Sequence, residues 1–218
     1  DGVDGLVLAA ETAIGKHPVS AVRMIKSLIY RYQNQIEFLS EENFLPHTNL
    51  IKPHGGKLVQ NIISDKTVLD IASLPKLEID EQSMIDARQI ALGVFSPISG
   101  FMSKDEIYSV LDNYVLKSGD VWPLPIFFQI RNTKPFLYGS GETVVLGMNG
   151  VNQAVLEINE VFQLNLNKLA KGMYTTINSE HPGVKHLFCG SNTFVSGKVS
   201  LLSKGYESRK PYELTPLE

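Results

Sequence analysis

Glu142-Thr143-Val144-Val145-Leu146-Gly147-Met148-Asn149-Gly150-Val151-Asn152-Gln153-Ala154-Val155-Leu156-Glu157-Ile158 decides the fold. Two apolar, β-branched runs flank Asn149-Gly150, and a tight hairpin turn needs φ > 0 at both of its central residues. Asparagine and glycine meet that need most readily, so the stretch predicts an antiparallel hairpin. Its second arm is expected to continue through Asn159 and Val161 to Leu164. A final strand is expected over 193–202. Ser118-Gly119-Asp120 reads as a turn into an extended segment at 121–131, where Pro123 and Pro125 suit an edge or bulged strand because proline donates nothing to a ladder.

Helix signals lie around these strands. Asp80-Glu81-Gln82-Ser83 opens a helix through Leu92: Asp80 caps it and Glu81 favours the positive end of its dipole. Ser103-Lys104-Asp105-Glu106 is a capping box ahead of Ile107, Val110 and Leu111. A polar helical stretch is expected over 165–173. Helices first and then mostly antiparallel strands predict an α+β fold, with short helices and a curled or barrel-like sheet.

Composition narrows the function classes. Among 218 residues, 43% are hydrophobic and 20% charged, ordinary values for a globular chain. The formal net charge of −3 argues against a nucleic-acid partner, which calls for a basic stripe. A single cysteine, Cys189, excludes an internal disulfide and a cysteine-rich zinc site, and fits a reducing, cytoplasmic setting. The five histidines show no His-x-x-x-His spacing, so no metal site is expected; on a strand, His181 and His186 would fall on opposite faces. No apolar run approaches the roughly 20 residues of a membrane-spanning helix. Asp1-Gly2-Val3-Asp4 is neither an initiator methionine nor a signal peptide, so a longer parent chain is expected.

The first 38 residues read differently from the rest. Gly5-Leu6-Val7-Leu8-Ala9 suits a buried strand, Pro18 suits a first helical position, and Val22, Ile25, Ile29, Tyr32 and Ile36 share a helical face. Asp1-Gly2-Val3-Asp4-Gly5, Glu11-Thr12-Ala13 and Gly15-Lys16-His17-Pro18 resemble the last βα unit of the pyruvate kinase (TIM) barrel. The resemblance implies that Glu11 and Thr12 are the remnant of an active-site loop. Ala9-Ala10 stands where that family usually has Ser-Gly, and one βα unit cannot close a barrel. A leftover anchor or dimer contact is the plainer reading. A polar connector is expected over 39–50.

Pro53-His54-Gly55-Gly56, Phe95-Ser96-Pro97-Ile98-Ser99-Gly100-Phe101-Met102, Trp122-Pro123-Leu124-Pro125 and Glu180-His181-Pro182-Gly183 follow one another over 51–218. Their order and spacing resemble the amino-terminal PUA-like domain of ATP sulfurylase (sulfate adenylyltransferase). Leu74-Pro75-Lys76-Leu77, Tyr174-Thr175-Thr176 and Glu213-Leu214-Thr215-Pro216 extend the resemblance. It implies a scaffold with no catalytic residues or cofactor of its own, joined in the parent to a catalytic domain that requires magnesium and ATP. That domain and a homo-oligomer are the implied partners. His54, Gly55, Gly56, Phe101 and His181 are the candidate interdomain or anion contacts. For each, a structural role competes: His54 fixing a turn, Phe101 and Met102 packing in the core, and His181 capping a Pro-Gly turn. Trp122 and Cys189 are expected to be buried.

Gln129-Ile130-Arg131-Asn132 invites a catalytic reading. ATP sulfurylases carry Gln-x-Arg-Asn-Pro-x-His-x-x-His at the nucleotide site, where cationic groups stabilise anionic oxygens. Here Thr133 replaces the proline, and Pro135 and Tyr138 replace the histidines. The word is therefore expected to be an ordinary strand with Gln129 and Arg131 facing solvent. Two rival readings remain at this point, a PUA-type RNA-binding module and a degenerate, regulatory pyruvate kinase fragment.

Overall fold

The computed structural model describes residues 52–63, 71, 73–131, 136–202 and 214–217, all within a unit running from Lys52 to Glu218. The βα unit expected over 1–38, with Glu11 and Thr12, and the connector over 39–50 lie outside the described residues. In chain order the elements are β1 (Ile62–Ile63), β2 (Lys76–Glu78), α1 (Glu81–Leu92), β3 (Gly100–Phe101), α2 (Lys104–Asn113), β4 (Phe128–Gln129), β5 (Thr143–Met148), β6 (Val151–Gln163), α3 (Leu166–Tyr174), α4 (Pro182–Phe188) and β7 (Thr193–Leu202).

The hairpin forms where the sequence places it. Asn149 (φ 54°) and Gly150 (φ 75°) turn β5 into β6, and Val144 pairs with Leu156, Val145 with Val155. β6 then runs for 13 residues. Its register against β7 shifts between Ile158 and Glu160, a bulge that lets so long a strand change direction. β7 pairs with β6 on one side; β1, β3 and β4 share its other edge, two residues each. Covering that edge with three short pieces removes the unpaired donors and acceptors that an exposed strand would present.

The sheet is mixed, in the order β1-β7-β6-β5-β2, with β3 and β4 alongside β7. The α+β expectation stands in this coarse form. The β1–β7 and β2–β5 pairings are parallel and the other four among the described residues antiparallel, so the sheet is mostly antiparallel, as the sequence suggested. Among the described residues the ladder is an open path. Nor do the helices come first: α3 and α4 lie between β6 and β7.

Both faces of the central strands are covered. Residues 144–147 of β5 and 153–156 of β6 are buried in succession, which is how a strand sandwiched on two sides reads. Phe194 sits at the heart of the core, fully buried, with Phe127 edge-on at 5.3 Å and Phe162 stacked at 6.1 Å. Phe101 stacks on Phe128 at 5.3 Å. Each such ring contributes about 1.5–3 kcal/mol from burial alone. α1 packs its Met84, Ala87, Ile90 and Ala91 inward against β7 and β5.

Several local expectations are corrected. Pro182-Gly183 opens α4 rather than a turn: proline at a first helical position loses no hydrogen bond, and the His181 carbonyl accepts from Lys185 N at 2.9 Å. His181 and His186 accordingly belong to a helix and its N-cap, not to a strand. Cys189 is exposed, because it lies just past the last turn of that short helix. Trp122 is half-buried. Of the extended 121–131 segment, only Phe128–Gln129 and a bridge from Val121 to Val115 join a ladder.

Candidate functional site

The Pro-His-Gly-Gly word forms a latch. Residues His54–Gly56 make a 3-10 turn, and His54 Nε2 donates to the Val121 carbonyl at 2.8 Å, 67 positions along the chain. A carbonyl only accepts, so this contact fixes the proton on Nε2. The imidazole then lies 5.9 Å from the Trp122 ring, whose other neighbour is Phe95, edge-on at 6.4 Å. Gly55 has φ +69°, and a Cβ there would stand 2.8 Å from Pro97 Cγ and 3.1 Å from Asp120 Oδ2. Glycine is required on both counts. Three separated words of the sequence thus meet at the loop that carries Trp122.

Below that loop lies a cleft of about 650 Å³. Its walls are Phe95, residues 122–127 and Tyr174, and its polar groups are Gln82 and Asp86 from α1, Gln129, Arg131, and His186 from α4. Asp86 lies one helical turn beyond Gln82, whose Nε2 donates to its carboxylate at 3.2 Å. Burial pushes the Asp86 carboxyl up to about 6; the Gln82 hydrogen bond opposes the shift and the Asp80 charge adds to it. Burial likewise raises Tyr174. Tyr174 packs against His181, centroid to centroid 4.9 Å, and it crosses α4 at Gly183, where a Cβ would lie 2.6 Å from the ring.

Gln129 does not face solvent, contrary to the sequence reading, and Arg131 is only partly exposed. Gln129 is 3% exposed and its amide donates to the Leu187 carbonyl at 2.9 Å and the Ser191 carbonyl at 2.7 Å. Arg131 donates to the His186 carbonyl at 3.0 Å and to Gln129 Oε1 at 3.4 Å. Its Nε approaches Asp80 Oδ2 to 2.6 Å, a charge contact rather than an aligned hydrogen bond. The other Asp80 oxygen accepts from Ser83 N at 2.8 Å and caps α1. The side chains of Gln129 and Arg131 therefore join β4 to α1 and to the α4–β7 connection.

Helix N-termini are natural anion sites, and here the chain supplies its own oxygens to them. Asp80 caps α1, and Ser103 caps α2 with the Glu160 carboxylate 3.3 Å from Lys104 N. Asn165 Oδ1 accepts from Lys168 N at the start of α3. A second cavity of about 480 Å³ lies beside α2, and its Lys198 is 3.8 Å from Glu157. No three His, Cys, Asp or Glu side chains among the described residues could hold a metal ion, and no described helix is long and apolar enough to cross a membrane.

Of the sequence candidates, His54 and Gly55 form the latch, exposed Gly56 completes its turn, and His181 stands over Tyr174 at the foot of the cleft. Phe101 lies apart from them in the core, 3% exposed. Asp80, Gln82, Asp86 and Tyr174 were not singled out from the sequence for a site. Asp86 in particular is flanked by residues of an ordinary amphipathic helix, and only the packing of α1 against 122–131 reveals its setting.

A family model described as a PUA-like domain matches residues 51–204. Over 167 residues the chain is 35% identical to the sulfate adenylyltransferase of Entamoeba histolytica, covering 72% of this chain and 40% of that one. The Thermococcus onnurineus sulfate adenylyltransferase is 31% identical over 171 residues, 77% of this chain and 44% of its own length. That of Chloroflexus aurantiacus is 34% identical over 176 residues, 80% and 45%. The chain thus spans less than half the length of these relatives. Among solved structures, the hexameric APS kinase from Thiobacillus denitrificans superposes with a TM-score of 0.57 at 24% identity, over 78% of this chain and 30% of that one, a likeness of fold. With the mixed sheet and its short interleaved helices in place, the chain belongs to the PUA-like domain family.

Proposed function

We propose that residues 51–218 are the non-catalytic, PUA-like part of a sulfate adenylyltransferase-type protein, and that they support a catalytic domain without touching its reacting atoms. The parent reaction is the transfer of an adenylyl group from ATP to sulfate, giving adenosine 5′-phosphosulfate and pyrophosphate. Magnesium and ATP belong to the catalytic domain in this reading. The similarity to sulfate adenylyltransferases over most of the chain supports the parentage.

The non-catalytic role is supported by one observation: Gln129 and the Arg131 guanidinium are held by internal contacts. An arginine that stabilises a transferring phosphoryl or adenylyl group must be free to turn its N–H groups onto it. Arg131 is fixed by one N–H each toward Asp80, the His186 carbonyl and Gln129. The resemblance of residues 1–38 to a pyruvate kinase barrel unit adds a fused-chain origin to the proposal, and the single cysteine adds a reducing, cytoplasmic setting.

Thermal denaturation in the presence of magnesium–ATP or sulfate tests this role. The melting temperature is expected to move with either salt only as it does with sodium chloride at matched ionic strength. A saturable rise that Arg131→Ala abolishes would overturn the assignment.

A further inference from the structure

The cleft beneath Trp122 holds chemistry that a passive support does not require. Trp122, Phe95 and Tyr174 give it flat apolar walls. Its two charged groups from α1 and the 131 position are unequally matched. Arg131 is turned onto Asp80, the His186 carbonyl and Gln129. Among the described residues, Asp86 accepts from Gln82 and has no cation in contact.

We propose that this cleft is a binding site for a small planar aromatic cation, an amidinium or aminated nitrogen heterocycle, with its ring against Trp122 and its N–H groups on Asp86. The volume, about 650 Å³, falls within the roughly 300–1,000 Å³ of small-molecule sites lined by apolar groups with a few convergent polar ones. A planar cation gains on both surfaces: the tryptophan face attracts it, and a carboxylate accepts two parallel N–H bonds from an amidinium. A half-buried carboxylate with no cation in contact among the described residues is costly, and its raised pKa agrees with that cost. An incoming cation removes it, whereas an anion carrying the same ring meets the Asp86 charge. The site does not depend on which catalytic domain the chain serves.

Trp122 is the chain's one tryptophan, so its fluorescence reads the site directly. The full chain at neutral pH is titrated with benzamidinium, benzyl alcohol and benzoate. The expected order of affinity is benzamidinium, then benzyl alcohol, then benzoate, with a saturable change for the first. Asp86→Asn is expected to weaken benzamidinium by about tenfold, the worth of a charge-assisted hydrogen bond, and to leave benzyl alcohol unchanged. Benzamidinium and benzoate acting alike, no saturable response to benzamidinium, or a fully binding Asp86→Asn chain with native circular dichroism would each overturn the proposal. The three-ligand order decides the matter on the unmodified chain, whatever the variant does.

Discussion

Arg131 Nε stands 2.6 Å from one carboxylate oxygen of Asp80, while the other oxygen caps α1 through Ser83 N at 2.8 Å. One aspartate therefore both starts a helix and neutralises the cation of the Gln-Ile-Arg word. The two roles separate on substitution. Asp80→Asn keeps a capping oxygen and loses the charge, and is expected to cost less than about 1 kcal/mol in urea denaturation. Asp80→Ala loses both and is expected to cost about 1–3 kcal/mol. Equal costs for the two variants would show that the cap contributes nothing.

Gln129 is the more rigid half of the same connection. Gln129→Leu keeps most of the volume but removes one of two donors to the Leu187 carbonyl, which still accepts from Gly190 N at 3.3 Å, and the amide donor to the Ser191 carbonyl. A loss of about 1–3 kcal/mol is expected, the cost of a stranded buried acceptor. The urea midpoint with an unchanged slope measures it. A shift no larger than that of an exposed substitution would contradict the buried role.

The His54 latch predicts a local rather than global effect. His54→Ala removes an exposed hydrogen bond, so stability is expected to fall by about 1 kcal/mol or less. Trp122 loses the ring beside it, and its emission should shift to the red as water reaches the indole. Gly55→Ala should cost more, about 1–2 kcal/mol, because the left-handed backbone and the Pro97 contact both oppose a side chain. An unmoved Trp122 emission in His54→Ala would count against the latch.

Asp86 gives the fold a pH dependence of definite sign. Its carboxyl titrates at about 6 in the folded chain and at 3.8 in the reference state. The folded form holds the proton more tightly, so this group's contribution is fully present below 3.8 and is lost as pH rises through about 6. Asp86→Asn should be more stable than the parent at pH 7 by about 1–2 kcal/mol, after allowing for solvent screening at a half-buried site, and the difference should vanish near pH 4. Denaturation curves at the two pH values check it; a pH-independent difference would contradict the burial argument.

Local chemistry carried most of what the sequence revealed. Asn149-Gly150 specifies its turn by backbone preference alone, and Asp80 and Ser103 specify caps through atoms three residues away, so hairpin and helix starts were readable. The pairing of β7 with β1, β3 and β4 was not, because two-residue strands carry no periodicity. Pro182-Gly183 misled for a related reason: proline favours turns and first helical turns alike, and only the following Val184 and Leu187, both buried, distinguish them. Gln129 and Arg131 read as a surface strand because their partners, Asp80, Leu187 and Ser191, lie some 50 to 60 positions away. The candidate contacts at His54 and His181 were legible as unusual words, yet the cleft whose Trp122 and Tyr174 they pack against is assembled from α1, the 122–131 segment, α3 and α4, a meeting that tertiary packing alone creates.

The most direct test of the central claim is sulfate-dependent exchange of radiolabelled pyrophosphate into ATP by the purified chain with magnesium. The account predicts no exchange above that of a heat-denatured sample, and none gained or lost on Arg131→Ala. Sulfate-dependent exchange that disappears in Arg131→Ala would show that the reacting groups lie within this chain, and would contradict it.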